Sequence, residues 1–248
     1  MEAFFFGPSD SYLYGVYTPP TGALDRNEAV VLVFPFGQEY MRSHKSFSFL
    51  ADRLAEQGYH LLRFDCRGQG DSFGDMSGVT ARDWQADICL AIQEVLDISR
   101  VSKVTLLGLR LGALLLATLT EMPAQVSRLV LWDPVVAGED YLQEILGDGS
   151  QRDDGSVIVH GFQAPEMFIQ SLAPLSLLVS EPANKIQIIQ FASHENQRFE
   201  QLKMHFSNRE NYQFEFVSAP HDWNYLDTNG GILWPIAMLS AIVEKLKE

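Results

Sequence analysis

The chain has 248 residues, of which 46% are hydrophobic, and a formal net charge of −14. That apolar content suffices for one full core. The acidity excludes a nucleic-acid partner, which needs a basic stripe, and disfavours an anionic membrane surface. The longest apolar run, Leu111–Leu119, falls far short of the ~20 residues that a membrane helix requires.

Ala3–Phe6 and Tyr12–Thr18 are predicted as edge strands around a Gly-Pro-Ser-Asp turn, and Pro19–Asn27 as a loop. Ala29–Phe34 is a continuous apolar run, the pattern of a strand buried on both faces of a parallel sheet. Ser46–Gln57 has helical spacing, with Phe47, Leu50 and Leu54 on one face and Gly58 as its stop. His60–Phe64 is the next buried strand. Thr80-Ala81-Arg82-Asp83 is a capping box that opens a helix with Trp84, Ile88, Ala91, Ile92, Val95 and Leu96 on its apolar face. Lys103–Leu107 is a strand, Leu111–Met122 a helix and Arg128–Trp132 a strand. Strict β-α alternation implies a parallel sheet with right-handed crossovers.

From Val136 to Asn184 the rhythm breaks. This stretch has a polar patch (Gly147–Ser156), short amphipathic pieces (Ala164–Leu172 and Leu175–Val179) and two prolines, Pro165 and Pro174. It is expected to be a small helical cap. The expected division is a core over residues 1–136 and 185–248 with a cap insertion over 137–184. The alternation resumes with strand Lys185–Phe191, a helix near Asn196–Phe206, strand Gln213–Val217 and helix Ile232–Lys247, which carries Ile236, Leu239, Ile242, Val243 and Leu246 at helical spacing. The fold class is therefore α/β, a doubly wound, mostly parallel sheet.

Two cysteines, Cys66 and Cys89, share neither metal-like spacing nor a disulfide framework, and the N-terminus lacks the basic region of a signal peptide. A reducing, cytoplasmic location is expected. No cofactor or metal is expected; His194, Glu195 and His205 match no ligand spacing.

Gly108-Leu109-Arg110-Leu111-Gly112 lies between a predicted strand and a predicted helix. It has the two-glycine frame of a nucleophile elbow, G-x-S-x-G, with arginine at the serine position. Arginine can neither attack a carbonyl nor lose its proton at neutral pH. Phe34-Pro35-Phe36-Gly37, the segment Gly58–Ser72 (G-Y-x-x-x-x-x-D-x-R-G-x-G-x-S), the elbow frame and Ala219-Pro220-His221-Asp222 occur in that order. In order and content these four segments resemble the α/β-hydrolase superfamily over nearly the whole chain. The run Gly108-Leu109-Arg110-Leu111-Gly112-Ala113 with the Pro35-Phe36-Gly37 loop is similar to a subgroup, the exosortase A system-associated hydrolases, linked to bacterial exopolysaccharide and protein-sorting gene clusters.

The resemblance implies an α/β-hydrolase fold acting on ester, thioester or amide substrates. It implies an oxyanion hole from the backbone at Phe36, Gly37 and Leu111, and a general base at His221. The triad acid would be Glu195 or Asp133; the residues do not decide between them. Arg110 has three readings: a structural plug paired with an anionic neighbour such as Asp133 or Glu195, a fork that binds an anionic ligand, or an unusual catalytic group. His221 is either a hydrogen-bonding remnant or a base that activates water directly. Ser43, read as a loop residue after Phe36-Gly37, is either a substitute nucleophile or a serine satisfying nearby backbone. Asp65, Arg67 and Ser72 belong to a turn that braces the fold. Expected partners are a small acyl or anionic molecule, with no nucleic acid or membrane; a homodimer or a scaffold with a closed pocket stays open.

Overall fold

In the computed structural model, residues 1–147, 149–225 and 233–248 are described. The main sheet comprises β1 (Glu2–Phe6), β2 (Leu13–Thr18), β3 (Glu28–Val33), β4 (His60–Phe64), β5 (Lys103–Leu109), β6 (Val126–Trp132), β10 (Gln187–Ala192) and β11 (Tyr212–Phe216). Their order across the sheet is β1-β2-β4-β3-β5-β6-β10-β11. The pairs β1/β2 and β2/β4 are antiparallel, and every other neighbouring pair is parallel.

Alternation along each strand divides the core in two. Val31 and Val33 of β3, Leu106 of β5 and Leu129 of β6 point to one face, with Trp84, Ile88 and Val95 of α2 (Ala81–Ser99) and Leu114 of α3 (Leu111–Ala117). Val30, Leu32, Leu107 and Val130 point to the other, against Phe47, Leu50 and Leu54 of α1 (Gly37–Glu56) and Leu239 and Ile242 of the last helix (Ile236–Lys247). Both faces of β3 are therefore covered, which is why its sequence is apolar from Ala29 to Val33.

The capping box forms: Thr80 Oγ1 accepts from the Asp83 amide, and Asp83 accepts from the Thr80 amide and hydroxyl. The brace also forms. Ser72 accepts from the Tyr14 amide at 2.8 Å and donates to the Asp65 carbonyl, while Arg67 clamps the buried Asp87 through Nε and Nη2.

Three expectations change. Helix α1 begins at Gly37, well before Ser46, because its first turns bury Glu39, Arg42 and Ser43, polar residues that disguise an apolar stripe. Helix α3 ends at Ala117 instead of Met122. There Thr118 Oγ1 donates to the Leu114 carbonyl, and the Gln85 amide donates to the carbonyls of Leu115 and Thr118, satisfying the last turn. The chain between β6 and β10 is mixed rather than helical. It holds α4 (Gly138–Leu146), a small antiparallel sheet of β7 (Ser150–Gln151), β8 (Val157–Val159) and β9 (Phe162–Ala164), then α5 (Glu166–Leu172) and a 3₁₀ turn at Leu177–Val179. Strand β7 lies within the polar patch Gly147–Ser156, and β8 and β9 follow it. The last helix starts at Ile236 after Pro235; the predicted start, Ile232, lies outside the described residues. After it leaves the sheet, this inserted stretch packs back on the core: Phe168 of α5 sits 4.8 Å from Trp84 and 5.5 Å from Phe36, ring centre to ring centre.

Candidate active site

Strand β5 passes into α3 through Arg110, whose φ of 51° and ψ of −115° lie outside the regions that side-chain-bearing residues favour. Such a conformation costs on the order of 1–3 kcal/mol and persists only where its surroundings enforce it. They do so here. The Arg110 amide donates to the Trp132 carbonyl at 3.0 Å, and its own carbonyl accepts from Val135 at 3.2 Å. The two glycines are steric requirements: a Cβ on Gly112 would lie 2.3 Å from the Val33 carbonyl oxygen, and one on Gly108 would lie 2.5 Å from the Ala113 nitrogen.

The Arg110 side chain extends into a network of acids and their donors. Nε donates to Glu39 Oε1 at 2.9 Å, and Nη2 donates to Glu144 Oε1 and Oε2 at 2.6 and 2.7 Å. Glu39, on α1, is completely buried, and its Oε2 accepts from the Tyr141 hydroxyl at 3.1 Å. Asn224 Nδ2 bridges the two acids, 3.0 Å from Glu39 and 3.2 Å from Glu144. The guanidinium also lies over the Tyr141 ring, 5.6 Å from its centroid.

Burial alone would favour loss of the Arg110 proton, but Glu39 and Glu144 outweigh it and push its pKa above that of a free arginine. Burial raises the Glu39 carboxyl, with Arg110 pulling it back. The positive end of α3 repels a cation, so these two carboxylates are what hold one there. The expected partners, Asp133 and Glu195, do not contact Arg110. Glu39 and Glu144 take their place from 71 and 34 residues away in sequence.

Asp133 follows β6 and is fully buried. Its two oxygens accept from the Ser193 amide and the Ser193 hydroxyl, each at 2.7 Å. With its proton given to Asp133, Ser193 Oγ accepts from His194 Nδ1 at 3.1 Å. His221 does not join Asp133 or Glu195 in a triad. Its ring lies stacked on His194, with centroids 3.9 Å apart and planes 15° apart, and its Nδ1 donates to the Ala219 carbonyl at 3.2 Å. Both imidazoles are thus anchored through Nδ1, which leaves each Nε2 as an acceptor.

Glu195 is exposed and has no partner among the described residues. Ser43 lies inside α1, not in a loop, and its buried hydroxyl donates to the Tyr40 carbonyl. Ser193, the serine that does reach an imidazole, is buried and stands outside the cleft lining. The amides of Phe36 and Leu111 donate to no protein acceptor among the described residues. Phe162 of β9 covers Gly37. Beside Arg110 opens a polar cleft of about 240 Å³, lined by Glu144, His194, Asn196, His221, Asp222 and Asn224 among others. No three His, Cys, Asp or Glu side chains among the described residues are placed to hold a metal ion, and no described helix is long and apolar enough to cross a membrane. His205 Nε2 faces the Ser180 carbonyl, away from this cleft.

Sequence reasoning missed Glu39, Glu144, Tyr141, Ser193 and Asn224. One signal was present: Glu39 stands two residues after Gly37, and an acid so close to an expected active site invites a cation.

The His194 pKa is lowered, first by burial and then by His221 and Arg110, with Asp133 opposing. Unfolded, the ring takes up a proton near its ordinary pKa of about 6.5. Folded, it resists until lower pH. The unfolded state therefore binds more protons in that window, and stability drops as pH falls through it. Urea midpoints measured from pH 8 to 5 should decline on acidification, and His194→Asn should flatten the decline. An unchanged slope would contradict this environment for the ring.

No curated protein sequence matches the chain significantly. Among solved structures, Est1E from Butyrivibrio proteoclasticus, with ferulic acid bound, matches with a TM-score of 0.71 at 14% identity, covering 99% of this chain and 96% of that one. The α/β hydrolase GrgF from Penicillium sp. sh18 gives 0.68 at 16%, covering 99% and 96%. Proline iminopeptidase from Mycobacterium smegmatis gives 0.66 at 12%, covering 99% and 97%. These likenesses establish the α/β-hydrolase fold. The family model described as serine aminopeptidase, S33, matches residues 25–152, just over half of the chain and the part that carries the elbow; the chain belongs to that family of α/β hydrolases.

Proposed function

We propose that this chain descends from an acyl hydrolase and no longer forms an acyl-enzyme: Arg110 occupies the nucleophile's place, and the cleft binds where its relatives react. The observation that carries this reading is the ion-paired Arg110. A guanidinium held between Glu39 and Glu144 supplies neither a nucleophilic atom nor a proton that a base could remove. The separation of His221 from Asp133 supports it, because a triad base needs an acid to orient it. The resemblance of Gly108–Ala113 to exosortase-associated hydrolases supports a role in bacterial exopolysaccharide or protein sorting, and the two free thiols support a cytoplasmic setting.

One observation favours a second reading. The Nε2 atoms of His194 and His221 are both free to accept a proton from water, while the amides of Phe36 and Leu111 stand unpaired. In that reading the imidazoles activate water directly on an ester or amide. A panel of short and long acyl esters separates the two. The expected result is turnover no faster than buffer, for the native protein and His221→Ala alike. Turnover lost in His221→Ala would replace the first reading with the second.

A further inference from the structure

We propose that Arg110 forms the floor of a seat for a small monocarboxylate, and that Glu144 is the seat's built-in occupant. The proposal rests on the reading of the cleft as a binding site without a nucleophile, and names its ligand class and its control.

The two acids on Arg110 differ in kind. Glu39 is a fixture: fully buried, on the core helix α1, and held by Tyr141 and Asn224 as well as by Arg110. Glu144 comes from α4, outside the sheet, and half of its side chain (51%) is exposed. Among the described residues, its side chain bonds only to Arg110 Nη2 and Asn224 Nδ2. Rotation of one side chain would release it into water without moving a helix. An internal acid that ends on the open side of a polar cleft behaves as a tethered competitor: it occupies the site at high effective concentration until a ligand displaces it.

Glu144 also serves as the template for that ligand. It offers two carboxylate oxygens to one guanidinium nitrogen and takes a third contact from an amide. A ligand of the same charge and shape would keep these contacts and leave the local charge unchanged. A doubly charged ligand such as phosphate would meet the fixed Glu39 and the cleft residue Asp222, both of its own sign. Beyond the seat, the cleft of about 240 Å³ is lined by His194 and His221, whose Nε2 atoms are left as acceptors by the hydrogen bonds at Nδ1. Those acceptors match hydroxyl donors, so the fitting class is a short hydroxycarboxylate.

The experiment is chemical rescue. Glu144→Ala empties the seat while Glu39 still neutralises Arg110, so the variant should fold with a lowered Tm. Acetate and glycolate, titrated against chloride and sulfate at matched ionic strength, should raise the Tm of Glu144→Ala, glycolate more than acetate. The native protein should respond at least about tenfold more weakly, because its own carboxylate competes. Arg110→Lys in the Glu144→Ala background keeps the charge, loses the fork, and should lose the rescue. A folded Glu144→Ala that responds to all four anions alike, or better to sulfate, overturns the seat. Treating the same samples with a fluorophosphonate keeps the two claims apart: absent rescue without labelling removes the seat alone, whereas labelling removes the reading of the cleft beneath it.

Discussion

Glu39→Ala should lower stability by about 3–5 kcal/mol, the cost of removing one partner from a buried ion pair. For a chain of this length, that corresponds to a Tm lower by roughly 10 °C. Three losses coincide. Arg110 keeps only the half-exposed Glu144, the Tyr141 hydroxyl loses its acceptor, and Asn224 loses one of two. The guanidinium at the start of α3 would then rest on Glu144 alone, which is half-exposed and screened by solvent. Replacing both charges together, with Glu39→Gln and Arg110→Met, should cost less than Glu39→Ala alone, because no unpaired charge is left buried. Urea or thermal unfolding of the three proteins reads this directly. A Glu39→Ala variant within about 1 kcal/mol of the native protein would show that the pair does not hold the elbow residue.

The second large effect concerns R110S, which rebuilds the G-x-S-x-G frame. It should destabilise by at least about 3 kcal/mol, because Glu39 loses its cation inside the protein. The loss should depend on pH in a definite direction. Burial already raises the Glu39 carboxyl, and Arg110 is the main influence pulling it down. Without Arg110, the folded state binds the Glu39 proton to higher pH than the unfolded state does. Stability must then fall as pH rises above the ordinary glutamate range. R110S should accordingly be firmer at pH 5 than at pH 8, relative to the native protein. Its esterase activity should stay within about tenfold of the native background, because Asp133 is committed to Ser193 and cannot orient His221. A gain of about a thousandfold, read with short acyl esters, would mean that the triad is latent and that arginine alone silences it.

The parallel sheet was legible because β3 is apolar from Ala29 to Val33, which only a strand covered on both faces tolerates, and because strands and helices alternate along the chain on either side of it. The elbow was legible from glycine spacing, because no other residue fits within 2.3 Å of the Val33 carbonyl. The capping box at Thr80 was a local pattern, and it formed locally. What stayed hidden depends on contacts between distant segments. The start of α1 was masked by polar residues whose burial makes sense only with their partners in place: Glu39 with Arg110, Arg42 with the Tyr225 carbonyl and Ser43 with the Tyr40 carbonyl. The acids that answer Arg110 come from α1 and α4, and no spacing in the sequence joins them. The His194–His221 stack unites two loops after different strands, β10 and β11, so neither ring reveals the other. Neither carboxylate expected from the resemblance meets His221: Ser193, a residue with no assigned role, takes Asp133, and Glu195 is exposed with no partner among the described residues.

On the proposed function, no activated nucleophile faces this cleft. Intact-mass analysis after treatment with a fluorophosphonate tests it most directly, since such reagents form a covalent bond with activated serines. The expected spectrum is that of the unmodified chain, in the native protein and in Glu144→Ala. A stoichiometric adduct, mapped by peptide sequencing to Ser43, Ser193 or any other serine, would contradict the account.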